Sequence, residues 1–184
     1  MTLTNGLVVM TPSSISYSGT SASINADGSV DFSAVTSLSL NGVFTSNYDN
    51  YMVNLRYTNT TSAAAIYFRL RSSGTDQSTG GYYTQQYVNS DRTYIAAQRF
   101  TSQDRGRIGN TGYPMQNGDT LYLYGPYLAQ PTATRNVSGG SQFDAYLLDF
   151  TCIHSLSNSY DGVTFIPDTP TAVNGLLTVF GFNQ

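Results

Sequence analysis

Tyr51-Met52-Val53-Asn54-Leu55-Arg56-Tyr57-Thr58 and Ala65-Ile66-Tyr67-Phe68-Arg69-Leu70-Arg71 carry the clearest pattern in this 184-residue chain. In the first stretch Val53, Leu55 and Tyr57 fall on one side of an extended strand, and Asn54 and Arg56 on the other. In the second, Ile66, Phe68 and Leu70 alternate with Tyr67, Arg69 and Arg71. Alternation of period two marks half-buried strands. The two read as adjacent antiparallel strands joined through a turn over 59–63. Weaker versions recur at 29–32, 37–40, 82–88, 93–100, 120–124, 145–153, 162–166 and 176–182. Turn chemistry separates them: 72–76 with 78–81, 109–114, Asn117-Gly118-Asp119, Ser138-Gly139-Gly140-Ser141 and Pro167-Asp168-Thr169-Pro170. The expected fold is all-β, a two-sheet jelly-roll sandwich over 29–184. An immunoglobulin-like sandwich would prefer a buried Trp, and the chain has none.

Composition points the same way. All eight basic residues are Arg and all eleven acids are Asp, so Lys and Glu, both strong helix formers, are absent. Ser, Thr, Asn, Gly and Tyr replace them, which disfavours helical bundles and doubly wound α/β folds. A hydrophobic content of 40% and an aromatic content of 13% argue against disorder. The net charge of −3 gives no long-range pull toward nucleic acid or anionic membrane, and neither is expected as a partner. No apolar run reaches the length of a membrane span, and the first residues lack the positive region of a secretory signal. The single Cys152 rules out an internal disulfide.

Residues 1–28 read differently from the rest. The segment is uncharged up to Asp27, rich in Ser and Thr, and holds scattered apolar residues at Leu7, Val8, Val9, Ile15 and Tyr17. One reading makes it a first strand and linker of the sandwich. The other makes it an N-terminal arm that attaches the subunit to a partner by strand addition.

The search for reactive groups is brief. Cys152 and His154 would share a strand face, the spacing of a nucleophile pair or half a metal site, but a lone Cys and a lone His are commonly core residues. Among the aspartates Asp91, Asp104, Asp144 and Asp149 are the least turn-bound candidates for a pair of glycosidase carboxylates. No phosphate loop, dinucleotide fingerprint, calcium loop or serine elbow is present. No catalytic residue, cofactor or metal is assigned. Tyrosine offers binding chemistry instead: Tyr82, Tyr83, Tyr87 and Tyr113, with Tyr94, Tyr122, Tyr124 and Tyr127, are candidates for glycan or subunit contact. Their alternative is packing within the sandwich. Arg92, Asp104, Arg105 and Arg107 are candidates for ion pairs at a subunit interface, or a solvated loop.

Three stretches resemble structural modules of tailed-phage virions, found in tail-fibre and head or tail proteins of phages of cyanobacteria and other aquatic bacteria. They are Ser37 to Tyr51, containing Asn47-Tyr48-Asp49-Asn50-Tyr51; Ile66 to Arg71 with Gly74-Thr75; and Gly175 to Asn183. The resemblance implies a non-catalytic jelly roll, a homo-oligomer and usually a trimer, on the exterior of capsid or tail. Because the resemblance starts near residue 29, the chain is expected to be a capsid decoration or cement protein, or a small head or tail appendage. Its partner would be a major capsid protein or a tail or fibre protein. The alternative it implies is a receptor-binding adhesin tip that recognises host surface glycan.

Overall fold

A computed structural model describes residues 6–90, 95–110, 113, 116–142, 144–168 and 171–183. Fourteen strands and no helix occur among them: β1 (Val8–Val9), β2 (Ser14–Ile24), β3 (Val30–Asn41), β4 (Asn50–Asn59), β5 (Ala65–Ser72), β6 (Thr75–Asp76) and β7 (Tyr83–Ser90) in the first half. β8 (Ile95–Gln103), β9 (Gly106–Asn110), β10 (Gln116–Tyr124), β11 (Thr132–Gln142), β12 (Asp144–His154), β13 (Gly162–Pro167) and β14 (Val173–Phe182) follow. Every pairing is antiparallel, and one curled sheet runs in the order β6-β5-β13-β3-β14-β4-β10-β11-β12-β7-β8.

β3 is the strand that makes the sheet curl. One of its edges pairs with β2 along nearly its whole length. Its other edge changes partner: Val30 to Val35 pair with β14, and Leu38 to Leu40 pair with β13. The curl brings β9, paired with β5, over the inner side of β7, β10 and β11. There Arg107 N donates to Gln85 Oε1 at 2.6 Å, and the Asn136 side-chain amide donates to the Ile108 carbonyl.

The residues of the alternating stretches fill the interior. Val53, Leu55, Tyr57, Ile66, Phe68 and Leu70 are buried together with Leu38, Leu40, Val163, Leu177 and Val179. An opening in this apolar region, between Phe32, Leu55, Ile66 and Phe165, is ≈ 10 Å³, room for no more than one water. Two buried polar devices tie the layout. Arg71 reaches Ser39 Oγ at 2.8 Å, Thr164 Oγ1 at 2.7 Å and Asn41 Oδ1 at 3.0 Å, and pairs with Asp76. It thereby joins β3, β5, β6 and β13 across a place where no apolar side chain serves. Tyr51 Oη accepts from Thr45 N at 2.7 Å and donates to Thr45 O at 2.8 Å, which fastens the turn before β4.

Several expectations change. β4 and β5 are consecutive but do not pair: β14 and β10 occupy both edges of β4, and β5 lies between β13 and the β6/β9 side. The connection carries the chain from one part of the sheet to the other, held by Thr60 N donating to Ala172 O at 3.0 Å. Asn117-Gly118-Asp119 is not a turn but the start of β10, and residues 138–141 are not a turn but part of β11. In the 47–51 turn, Asp49 N donates to Asn183 Oδ1 at 3.0 Å, so the C-terminal segment satisfies that amide. Residues 8–24, within the expected arm, form β1 on β14 and β2 on β3; residue 28 lies in the β2–β3 hairpin turn, where Asp27 Oδ1 accepts from Ser29 N at 3.0 Å.

Candidate functional site

The predicted contact residues do not gather in one place. Leu7 and Tyr17 are exposed, Val8 and Val9 pair with Gly181 and Phe180, and Ile15 is half-buried against the core. Tyr83 is fully buried, with its Oη accepting from Leu70 N at 2.9 Å. Tyr87 is turned to the inner side, stacked on Phe100 with centroids 6.0 Å apart and packed near Phe150 at 5.1 Å. Tyr82 sits against His154. Tyr113 alone of the four is strongly exposed. The inward phase of β7 takes two of the four, Tyr83 and Tyr87.

Of the charged set, Asp104, Arg105 and Arg107 have partners within the chain. Asp104 pairs with Arg69, a residue the reading of the loop missed, and stands 3.7 Å from Arg105 Nε. Arg105 also lies 4.1 Å over the Tyr67 ring. Arg107 lies over Tyr87 at 5.5 Å and bonds Asn110. Arg92 and Asp91 lie outside the described residues. No group of three or more metal-ligating side chains occurs among the described residues.

Cys152 and His154 do share the inner face, as their spacing predicts, but neither is activated. Burial pushes the Cys152 thiol up to about 12 and the His154 imidazole down to about 4. An attacking pair needs the opposite, a low thiol and a basic imidazole. Tyr160 Oη lies 3.3 Å from His154 Nδ1, and Tyr83 packs edge-on at 4.5 Å.

A second buried polar group centres on Asp119. Its Oδ2 accepts from Tyr57 Oη at 2.8 Å, and its Oδ1 has no hydrogen-bond partner among the described residues. Burial raises the carboxyl to about 7, while the nearby Ser138 hydroxyl and the Tyr57 hydroxyl act to lower it. The inward residues of β11, namely Thr132, Thr134, Asn136 and Ser138, are all polar and all buried, with Ser138 directly opposite Asp119 in the ladder.

The surface that does assemble contact chemistry is the outer side of β14, β4, β10, β11, β12, β7 and β8. Residues paired across a ladder point to the same side, so the registers define its rows. One row runs Leu176, Arg56, Gly118, Gly139, Leu147, Ser90, Ile95. The next runs Thr178, Asn54, Thr120, Val137, Asp149, Val88, Ala97. A third runs Phe180, Met52, Tyr122, Arg135, Thr151, Gln86, Arg99, and Tyr124 and Ile153 lie in the fourth. The exposed apolar side chains gather toward β11, β12, β7 and β8, where Ile95 is 76% exposed, Leu147 55%, and Val88, Val137 and Ile153 are exposed too, beside the polar Gln86, Arg99, Asp149 and Thr151. Toward β14, β4 and β10 it is polar and grooved. An open hollow of ≈ 500 Å³ at Asn54, Arg56, Gly118 and Thr178 adjoins one of ≈ 340 Å³ at Tyr122, Tyr124 and Arg135. Of the tyrosines singled out in the sequence, Tyr122 and Tyr124 are the two that this face brings together. The chain matches no known family model, and no curated protein is significantly similar to it.

Proposed function

We propose that the chain is a non-catalytic structural subunit of a tailed-phage virion, a capsid decoration or cement protein or a small head or tail appendage. In this reading the curled sheet works as the two packed layers of a jelly roll, and the subunit self-associates, as a trimer, on the particle exterior. The observation that carries it is the apolar end of the outer sheet face. Val88, Val137, Leu147 and Ile95 lie in adjoining rows of four neighbouring strands, with one Arg135–Asp149 ion pair at 2.8 Å beside them. Exposed apolar side chains in such register favour contact with another protein surface over solvent. The phage assignment itself is supported by the resemblance of the segments around Tyr51, Phe68 and Val179.

Light scattering on the purified protein tests the reading. The expected mass is a multiple of 19.9 kDa. Leu147→Asp should reduce that mass to a single chain without lowering the melting temperature, because Leu147 is exposed within one subunit. A wild-type protein that is monomeric at micromolar concentration overturns the proposal.

A further inference from the structure

We propose that the grooved half of the outer sheet face binds an acidic polysaccharide, laid across the strands from β14 to β11. This goes beyond the structural-subunit reading and does not depend on it, since the groove lies to one side of the apolar end assigned to self-association.

The first reason is charge. Arg56 is exposed in the ≈ 500 Å³ hollow and has no acidic partner among the described residues. Asp31 lies in the same row but beyond Leu176, two strand spacings or about 10 Å away. Arg135, at the next hollow, is answered by Asp149 at 2.8 Å. The groove therefore carries one unanswered guanidinium on a molecule of net charge −3. A ligand carboxylate supplies the missing counter-charge in the planar, two-pronged geometry that guanidinium favours.

The second reason is the floor. A Cβ on Gly118 would meet nothing within 4 Å, and its backbone needs no left-handed conformation. The fold thus does not require glycine there. Its bare backbone, opposite Gly139, leaves the floor open for close approach by a ligand. A branched side chain there would project from the floor into the hollow.

The third reason is the lining. Tyr122 and Tyr124 stand two residues apart on the same side of β10, half-buried, with Tyr122 braced edge-on by Phe182 at 6.5 Å. Half-buried rings held in this way are platforms for sugar rings. Asn54 Oδ1 accepts from Thr120 Oγ1 at 3.2 Å, which leaves the Asn54 amide hydrogens directed to a ligand's hydroxyls. Donors and hydroxyls therefore recur at the strand spacing of about 4.8 Å, comparable to the advance of an extended sugar chain per ring. A protein partner would be better served by the apolar half of the same face.

Affinity electrophoresis tests this, with the intact chain run in native gels containing sodium alginate, dextran or no polymer. Alginate should retard the wild type and dextran should not. Arg56→Gln and Gly118→Val should each weaken the retardation about tenfold, the loss of one charge-assisted contact or of the open floor. Both variants should keep the wild-type melting temperature and oligomer mass, which separates this result from failure of the self-association reading. Unretarded migration of the wild type in alginate, equal retardation by dextran, or full retardation of both variants overturns the proposal.

Discussion

Replacing Asp119 with Asn separates the charge of the buried polar group from its shape. Asp119 is 4% exposed, and an asparagine oxygen can still accept the 2.8 Å bond from Tyr57 Oη. In the native fold burial holds the carboxyl proton up to about pH 7, against an ordinary value of 3.8. Between those values the folded chain keeps a proton that the unfolded chain has released, so stability falls as pH rises through the window and is lowest above it. The gap of about 3 pH units corresponds to on the order of 4 kcal/mol. His154 acts in the other direction. Its imidazole is held down to about 4 from 6.5, so stability is complete above the higher value and is lost as pH falls toward the lower. The two slopes oppose each other in the wild type, and Asp119→Asn removes one of them. Urea unfolding followed by tyrosine fluorescence at about pH 5 and about pH 8 reads the difference. The variant should be the more stable protein at the higher pH, by up to that amount, and should weaken on acidification more than the wild type does. Parallel pH profiles, or a variant less stable at the higher pH, would refute the reasoning.

Other outcomes follow from the same packing. Arg71→Leu should destabilise the fold by about 3–5 kcal/mol in the same urea assay, because Asp76, Ser39 and Thr164 lose their shared donor inside the protein. Tyr51→Phe should cost about 1–3 kcal/mol and loosen the 44–49 turn, measured as faster amide exchange at Thr45, whose N–H loses its buried acceptor. Cys152 should react with a thiol reagent at neutral pH only after unfolding, since its thiol is buried and raised to about 12.

How much of this was legible in the sequence depends on what each strand buries. β4, β5, β12 and β14 announce themselves because one phase of each is apolar and faces the core, as Val53, Leu55 and Tyr57 do. β11 is silent because its inward residues, Thr132, Thr134, Asn136 and Ser138, are polar although they are buried. Its Gly139-Gly140 pair and the Asn117-Gly118 step of β10 look like turns to any local rule, yet the ladder holds them extended. β2 is hidden for a different reason: it is an exposed strand along one edge of β3, with little to bury. The candidate surface was half visible. Tyr122 and Tyr124 were among the tyrosines considered, but the phase of β7 cannot be read when Tyr82, Tyr83 and Tyr87 occupy both of its sides. The role of Arg56 depends on Gly118 and Leu176, which come beside it only through long-range pairing.

The change of partner along β3 bears on how the molecule comes apart. Because one continuous strand is stitched to β14 at its beginning and to β13 at its end, neither region can peel away while the other stays intact. Heat or force that frees β3 from one neighbour strips the backbone support of the other as well. The two regions should therefore come apart together rather than one after the other.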